Sequence, residues 1–325
     1  MRGSAWMHRR PLDEFDLTHT GPPNERRNYR ERKIYTMTAN QTLTGRLTYS
    51  NTEKNVTIDG RLIHFHQAGT EHERTVVFLH GGGLGASGWF NFHRNIEPFS
   101  EKFHVLLVDM PNYGTSDSVV IQDKDVPRFD ADVLSKLLDH LGISRASIVG
   151  NSKGGMDAIA FSVHHNDKLD ALVLMGSHTG PSIFDPMPAT GTTLLFDLFQ
   201  HPTREKMAQM LRLFFFDQAN VDDAFIDLRW DSAMDADKRG HRRAILDSRP
   251  VHVNYTARLP EVPNPVLVLH GAHDRFAALD SSTSLMRHYP NSELHVFRNC
   301  GHWVQYELAD EFNQLTMQWL HSHTV

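Results

Sequence analysis

Six short apolar runs constrain this chain more than any other feature: Val76–Leu79, Val105–Val108, Ala146–Val149, Ala171–Met175, Val266–Leu269 and Leu294–Phe297. Most are followed at once by glycine, aspartate or histidine. Continuous apolar runs of this length fit strands of a parallel sheet, in which helices cover both faces. Helical stretches lie between several of them. Asp132–Leu141 carries Val133, Leu134, Leu137, Leu138 and Leu141 on one face; Met156–His164 is a second; Glu307–Leu320 closes the chain. Ahead of these runs, Val56–Ile58 and Leu62–His66 alternate around Asp59-Gly60, the pattern of an early hairpin. The alternation predicts an α/β fold, a mostly parallel open sheet with helices on both faces. No internal repeat is visible.

Composition narrows the class. The chain has 325 residues and a formal charge of −6, with 40% hydrophobic and 22% charged residues. This is an ordinary globular balance, and the mild acidity argues against a nucleic-acid partner. The single cysteine, Cys300, excludes an intrachain disulfide and fits a reducing, cytoplasmic compartment. No run reaches the roughly 18 apolar residues of a membrane span, so no membrane partner is expected. Arg9-Arg10 is followed by polar residues where an export signal needs an apolar stretch.

Two regions stand apart. Residues 1–36 hold eight Arg and Lys residues, Pro22-Pro23 and no apolar period, so they are expected to form a disordered extension without a function of its own. Between Gly176 and Pro265 lies an interval too long for a plain loop, rich in Phe, Leu and Met. It predicts a helical lid over an apolar site. The expected division is 1–36 extension, 37–177 first part of the core, 178–262 lid and 263–325 second part of the core.

Three motifs carry chemistry. Gly150-Asn151-Ser152-Lys153-Gly154 is a G-x-S-x-G between a predicted strand and a predicted helix, the setting of a nucleophile elbow. His80-Gly81-Gly82-Gly83 follows the strand Val76–Leu79 and matches the glycine element that supplies one oxyanion donor in α/β-hydrolases. A phosphate loop is the weaker alternative, because the run does not fit G-x-x-x-x-G-K-[ST]. Asp274 and His302 each follow a predicted strand, and the order Ser152, Asp274, His302 is that of α/β-hydrolase triads. His80 and His270 are the rival histidines, expected to pack or hydrogen-bond at strand ends.

With these stretches in view, the sequence resembles the meta-cleavage product hydrolases, carbon–carbon bond hydrolases of the α/β-hydrolase fold in aromatic and steroid-ring degradation. The resemblance runs from about residue 50 to the C-terminus. It rests on His80–Asn91, Gly150–Gly155, Gly180–Pro188, His273–Phe276 and Cys300-Gly-His-Trp-Val-Gln-Tyr-Glu307. It implies Ser152 as nucleophile or as the hydroxyl that orients it, His302 as base and Asp274 as its partner. It implies the backbone N–H groups of Gly82 and Lys153 as the oxyanion hole, and Asn91, Asn151, Arg229 and Trp303 as contacts to a dienoate. An arginine can bind both oxygens of the substrate carboxylate, and the Phe- and Leu-rich lid suits its apolar remainder. From its local sequence alone, Arg229 reads as a solvated lid arginine.

The resemblance implies a homo-oligomer and a small-molecule substrate, with no metal or organic cofactor. Lys153 replaces the usual apolar residue after the serine, and its side chain is expected to point to solvent. Asn112 stands where the family more often has glycine, a turn variant, and His178-Thr179 departs from a small, glycine-rich pair. The alternatives are a carboxylesterase with the same triad and a non-catalytic binding protein of the same fold. A dehalogenase would need aspartate at position 152.

Overall fold

The structure is a computed structural model and describes residues 46–180, 182, 184, 188–235 and 239–324. Residues 1–36, and most of the Gly180–Pro188 stretch, lie outside the described residues.

Ten strands are present among the described residues: β1 Glu53–Ile58, β2 Arg61–Ala68, β3 Thr75–Leu79, β4 His104–Val108, β5 Gln122–Asp125, β6 Ala146–Asn151, β7 Leu169–Met175, β8 Arg249–Val251, β9 Val266–Gly271 and β10 Ser292–Phe297. Eight form one sheet in the order β1-β2-β4-β3-β6-β7-β9-β10. The pairs β1–β2 and β2–β4 are antiparallel and the others parallel. The hairpin turns on Asp59 and Gly60 at φ 49° and 76°, the left-handed pair that a two-residue loop between twisted strands requires. β5 and β8 pair separately.

Both faces of the central strands are buried. Val77, Leu79, Ile148, Leu172 and Leu174 pack with Leu134, Leu138, Ile159 and Phe161 on one side. Val76, Phe78, Val149, Val173 and Met175 pack with Phe92, Phe99, Phe312 and Trp319 on the other. Alternation along each strand sends neighbours to opposite faces, and helices cover both. β10 departs from the expectation of a buried strand. It is an edge strand, partly or well exposed from Ser292 to Val296 and buried at Phe297, because only β9 flanks it.

The helix expected from Asp132 begins at Val126. Pro127 sits in its first turn, where a missing N–H costs nothing. The helix after the G-x-S-x-G begins at Lys153 rather than Met156. The C-terminal helix is broken into Val304–Glu307 and Ala309–His323. Between β7 and β9, the described residues of the insertion include four α-helices: Thr190–Gln200, Arg204–Phe214, Asp223–Met234 and Arg239–Asp247. No helix among the described residues is long and apolar enough to cross a membrane.

Candidate active site

The parallel strands β3, β6, β7, β9 and β10 end on one edge of the sheet, and the candidate residues stand on the loops that follow. Ser152 occupies the turn between β6 and the helix Lys153–His164. Its φ of 54° and ψ of −116° are strained for a residue with a side chain. Its side chain makes no capping hydrogen bond to that helix, which leaves the hydroxyl available for chemistry. The turn closes this tightly because residue 154 is glycine: a Cβ there would fall 2.6 Å from the His80 carbonyl. Lys153, the first helical residue, has no intrahelical acceptor for its N–H, so that N–H can donate to an oxygen held over Ser152.

The glycine loop lies against this turn. An added Cβ at Gly81 would sit 3.4 Å from Ser152 Cβ, and one at Gly82 would sit 3.5 Å from Lys153 Cβ. His80, ahead of the loop, is fully buried. Its Nε2 accepts from Met110 N–H at 3.1 Å, and Nδ1 lies 2.9 Å from the Gly81 carbonyl. Accepting at one ring nitrogen and donating from the other makes a neutral imidazole, and burial lowers its pKa to about 4. His270 packs similarly, with Nδ1 2.8 Å from Ser282 Oγ. Neither rival histidine is presented to the site.

His302 is different. Its Nδ1 is 2.7 Å from Asp274 Oδ2, and the two side chains are 2% and 1% exposed. The other Asp274 oxygen accepts N–H groups from Phe276 at 2.7 Å and Ala277 at 3.0 Å. Burial alone would push this carboxyl up, but the His302 imidazole and the backbone donors bring it below the usual range. Asp274 therefore stays ionised beside the histidine, as a residue that fixes a tautomer must. The imidazole stacks on Phe276 at 4.8 Å and on Phe214 at 5.7 Å. Gly176 directly follows Met175, whose carbonyl accepts the Ser152 N–H, and it has no room for a side chain, since a Cβ would fall 2.6 Å from the ring.

The remaining candidates gather around the same point. Asn151 Nδ2 donates to the His302 carbonyl at 3.3 Å, and Asn151 Oδ1 accepts from Asn91 Nδ2 at 3.4 Å. Trp303 is buried and stacks on Phe214 at 4.5 Å. Arg229, from the helix Asp223–Met234, is not solvated at all: it is 0% exposed. Its Nε donates to the Leu84 carbonyl at 2.8 Å. Its Cζ lies 4.7 Å from the Phe90 ring centroid and 6.0 Å from that of Trp303. Neither Nη atom has a hydrogen-bond partner among the described residues, and one would lie 3.2 Å from a Cβ at Gly83. Burial lowers the guanidinium pKa to about 9, which still leaves it charged near neutrality. Arg212, by contrast, is exposed.

One expectation fails outright. The Lys153 side chain does not point to solvent. It is 15% exposed and paired with two buried carboxylates, Asp130 at 2.5 Å and Asp157 at 2.7 Å. Asn112 behaves as a turn residue, at φ 72° with its amide bonded to both polar groups of the Val119 backbone.

Sequence reasoning also missed a latch between insertion and core. The Phe214 carbonyl, at the end of the helix Arg204–Phe214, accepts N–H groups from His302 at 2.8 Å and Trp303 at 3.3 Å. Glu307 accepts from Gly301 at 2.8 Å, Phe216 at 3.1 Å and Asp217 at 2.7 Å. Its only sequence signal is its place five residues after His302. A cavity lined by Gly83, Tyr113, Phe199, Ala233 and Ile245 borders the glycine loop, but Ser152, His302 and Arg229 do not line it. Among the described residues no group of three or more His, Cys, Asp or Glu is placed to hold a metal ion.

Comparison with known proteins identifies the family. The profile of the alpha/beta hydrolase fold family matches residues 74–308. A 2-hydroxy-6-oxononadienedioate/2-hydroxy-6-oxononatrienedioate hydrolase of Burkholderia vietnamiensis is 40% identical over 82% of this chain and 94% of its own length. A 2-hydroxy-6-oxo-6-phenylhexa-2,4-dienoate hydrolase of Burkholderia cepacia is 38% identical over 84% of this chain and 98% of its own. The solved structure of a 2-hydroxy-6-oxo-6-phenylhexa-2,4-dienoate hydrolase from a Rhodococcus species superposes with a TM-score of 0.74 at 27% identity, covering 82% of this chain and 97% of that one. The chain belongs to the α/β-hydrolase fold family and, within it, to the meta-cleavage product hydrolases.

Proposed function

We propose that this protein is a serine-dependent hydrolase that cleaves the C5–C6 bond of a 2-hydroxy-6-oxo-hexa-2,4-dienoate-type ring-cleavage product in aromatic catabolism. The products are a carboxylic acid and 2-hydroxypenta-2,4-dienoate. The observation that carries this reading is the buried guanidinium of Arg229 with two unpartnered nitrogens. A buried charge is costly unless it is paired, and a dienoate brings a carboxylate to pair it. A neutral ester does not, so this feature favours the carbon–carbon hydrolase over a carboxylesterase with the same triad.

In the proposed mechanism Arg229 binds the C1 carboxylate bidentately. Asn91, Asn151 and Trp303 line the planar dienoate. Ketonisation moves the proton of the 2-hydroxyl to C5, leaving a 2-oxo group conjugated to the C3–C4 double bond. The nucleophile, Ser152 Oγ or a water that it orients, then adds to C6 as His302 takes its proton and Asp274 steadies the imidazolium. The C6 oxyanion accepts from the N–H groups of Gly82 and Lys153. When the C5–C6 bond breaks, its electron pair passes through C4 and C3 to the 2-oxygen, which is reprotonated to the dienol. The 2-oxo group is therefore the electron sink; where Ser152 was the nucleophile, one water, deprotonated by His302, then hydrolyses the acyl-serine to free the carboxylic acid and the serine hydroxyl.

The reading extends to a division of the chain into 1–36, 37–177, a lid at 178–262 and 263–325, to a homo-oligomer by family resemblance, and to a cytoplasmic location fitting the single buried Cys300. Its test is a panel of ring-cleavage products with alkyl, aryl and carboxyalkyl groups at C6, followed by loss of their visible absorbance. Turnover of at least one, well above that of simple esters, is expected. Ester hydrolysis with no turnover of any dienoate would replace the proposal with the carboxylesterase.

A further inference from the structure

The mechanism above uses the Lys153 backbone and leaves its side chain unexplained. That side chain is built into the floor of the site. Its stem runs beneath the glycine loop: a Cβ at Gly82 would lie 3.5 Å from Lys153 Cβ and 3.8 Å from its Cδ. Its ammonium is held by Asp130 and Asp157, each carboxylate 1% exposed, and lies 5.4 Å from the centroid of the Tyr113 ring. The Tyr113 hydroxyl in turn would be 3.6 Å from the Gly82 Cβ. The anchors come from separate places. Asp130 belongs to the helix Val126–His140, Asp157 lies one turn along the helix that Lys153 begins, and Tyr113 follows β4.

Stability does not account for this cluster. Two acidic side chains and one ammonium are taken out of water together, and the second oxygen of each carboxyl group has no hydrogen-bond partner among the described residues. A buried ionic group so incompletely satisfied is often matched or bettered by apolar residues of the same volume. What the pairing does supply is one fixed conformation for a long side chain that would otherwise sample many. We propose that Lys153 is a positioning residue: its stem, pinned at the far end by Asp130 and Asp157, sets the spacing between the Gly82 and Lys153 N–H groups that receive the oxyanion. Misplacing such donors weakens the transition state and leaves substrate binding untouched, so the effect falls on kcat rather than KM.

This inference rests on the oxyanion hole of the proposed function, and the assay separates the two. Activity is measured on a ring-cleavage dienoate and on a neutral p-nitrophenyl ester, with Ser152→Ala as reference. Two variants carry Asp130→Asn and Asp157→Asn, which remove the buried charges, combined with either Lys153→Ala or Lys153→Met. The alanine form, which lacks the stem, is expected to lose about tenfold or more in kcat on both substrates, with KM within about twofold. The methionine form restores an unbranched stem and is expected to regain most of that loss. Equal kcat in the wild type and the alanine form overturns the inference, as does an equal loss in both forms. If the alanine form does not fold, Asp130→Asn alone decides, since Lys153 keeps Asp157 as a partner. A kcat drop at constant KM supports positioning, and an unchanged kcat overturns it. Full activity in Ser152→Ala, by contrast, would remove the proposed function itself.

Discussion

At the scale of single residues, chemistry near strand ends was legible and chemistry assembled from distant segments was not. The places of Ser152, Asp274 and His302 could be read because each lies within a few residues of the end of an apolar run. Arg229 could not be placed from Asp227-Leu-Arg-Trp230. Its burial depends on Gly83, Phe90 and Trp303, which the fold brings from two other regions. The Lys153 side chain was misjudged for the same reason. Asp157 lies four residues away and was in principle visible as a helical pair, but Asp130 arrives from a neighbouring helix. The proposed triad gives a direct prediction. Ser152→Ala and His302→Ala should each lower kcat by about 10³ or more, because the two groups act as a unit. The check is steady-state kinetics on protein whose circular dichroism matches the wild type. A folded Ser152→Ala variant with near-normal turnover would contradict the assignment.

At the scale of elements, the six runs gave the sheet, while helix boundaries and the character of the edge strand needed the structure. Polar residues Arg128 and Asp130 masked the start of the helix Val126–His140, and half-exposed β10 read as apolar because Leu294 and Phe297 pack on the core. The insertion was legible as helical from its length and apolar content. How it is tied to the core was not, because carbonyls and N–H groups leave no trace in the residue types. Three ties reach the candidate site. Gly191 N–H donates to the Arg275 carbonyl, the Phe214 carbonyl accepts from His302, and Glu307 bonds both sides of that junction. Glu307→Ala removes a side-chain acceptor from three N–H groups. It should destabilise the protein by about 1–3 kcal/mol and lower kcat/KM on the dienoate severalfold, since the His302 loop and the insertion lose a common anchor. Urea unfolding and kinetics on one preparation check both. Unchanged values in both measurements would reduce the latch to a surface contact.

At the scale of the whole molecule, buried carboxylates set opposing pH trends. Asp157 is pushed up to about 8 by burial and by the neighbouring Asp130, against the pull of Lys153. Asp125 adds to the upward shift, and Tyr113 faces the same cluster. Between the ordinary carboxyl range and about pH 8, the folded chain therefore holds a proton that the unfolded chain has released. Stability falls as pH rises through that window and levels off above it. Asp274 and Asp109 act the other way. Burial raises each, but His302 and His64 respectively bring each below the usual range. Their contribution is present above the unfolded carboxyl pKa and is lost as pH falls through the lower folded values. The buried His66, His80 and His93, held below the usual histidine range mainly by desolvation, act in this same direction, so the Asp157 contribution is read as a difference between wild type and variant. Asp157→Asn should flatten the decline between about pH 5 and pH 8. Urea midpoints at the two pH values, in wild type and variant, test this; equal slopes would show that the Lys153 cluster does not hold the proton.

The central claim, a carbon–carbon hydrolase whose buried arginine receives the dienoate carboxylate, is tested most directly by the ratio of two losses in Arg229→Ala. One preparation is assayed on a ring-cleavage dienoate, by its visible absorbance, and on a small neutral ester. Losing one charge-assisted interaction costs about 1.5–3 kcal/mol, so kcat/KM on the dienoate should fall roughly 10- to 150-fold. The ester has no carboxylate to pair and should lose little. Equal losses on both substrates, or no loss on the dienoate, would contradict the account.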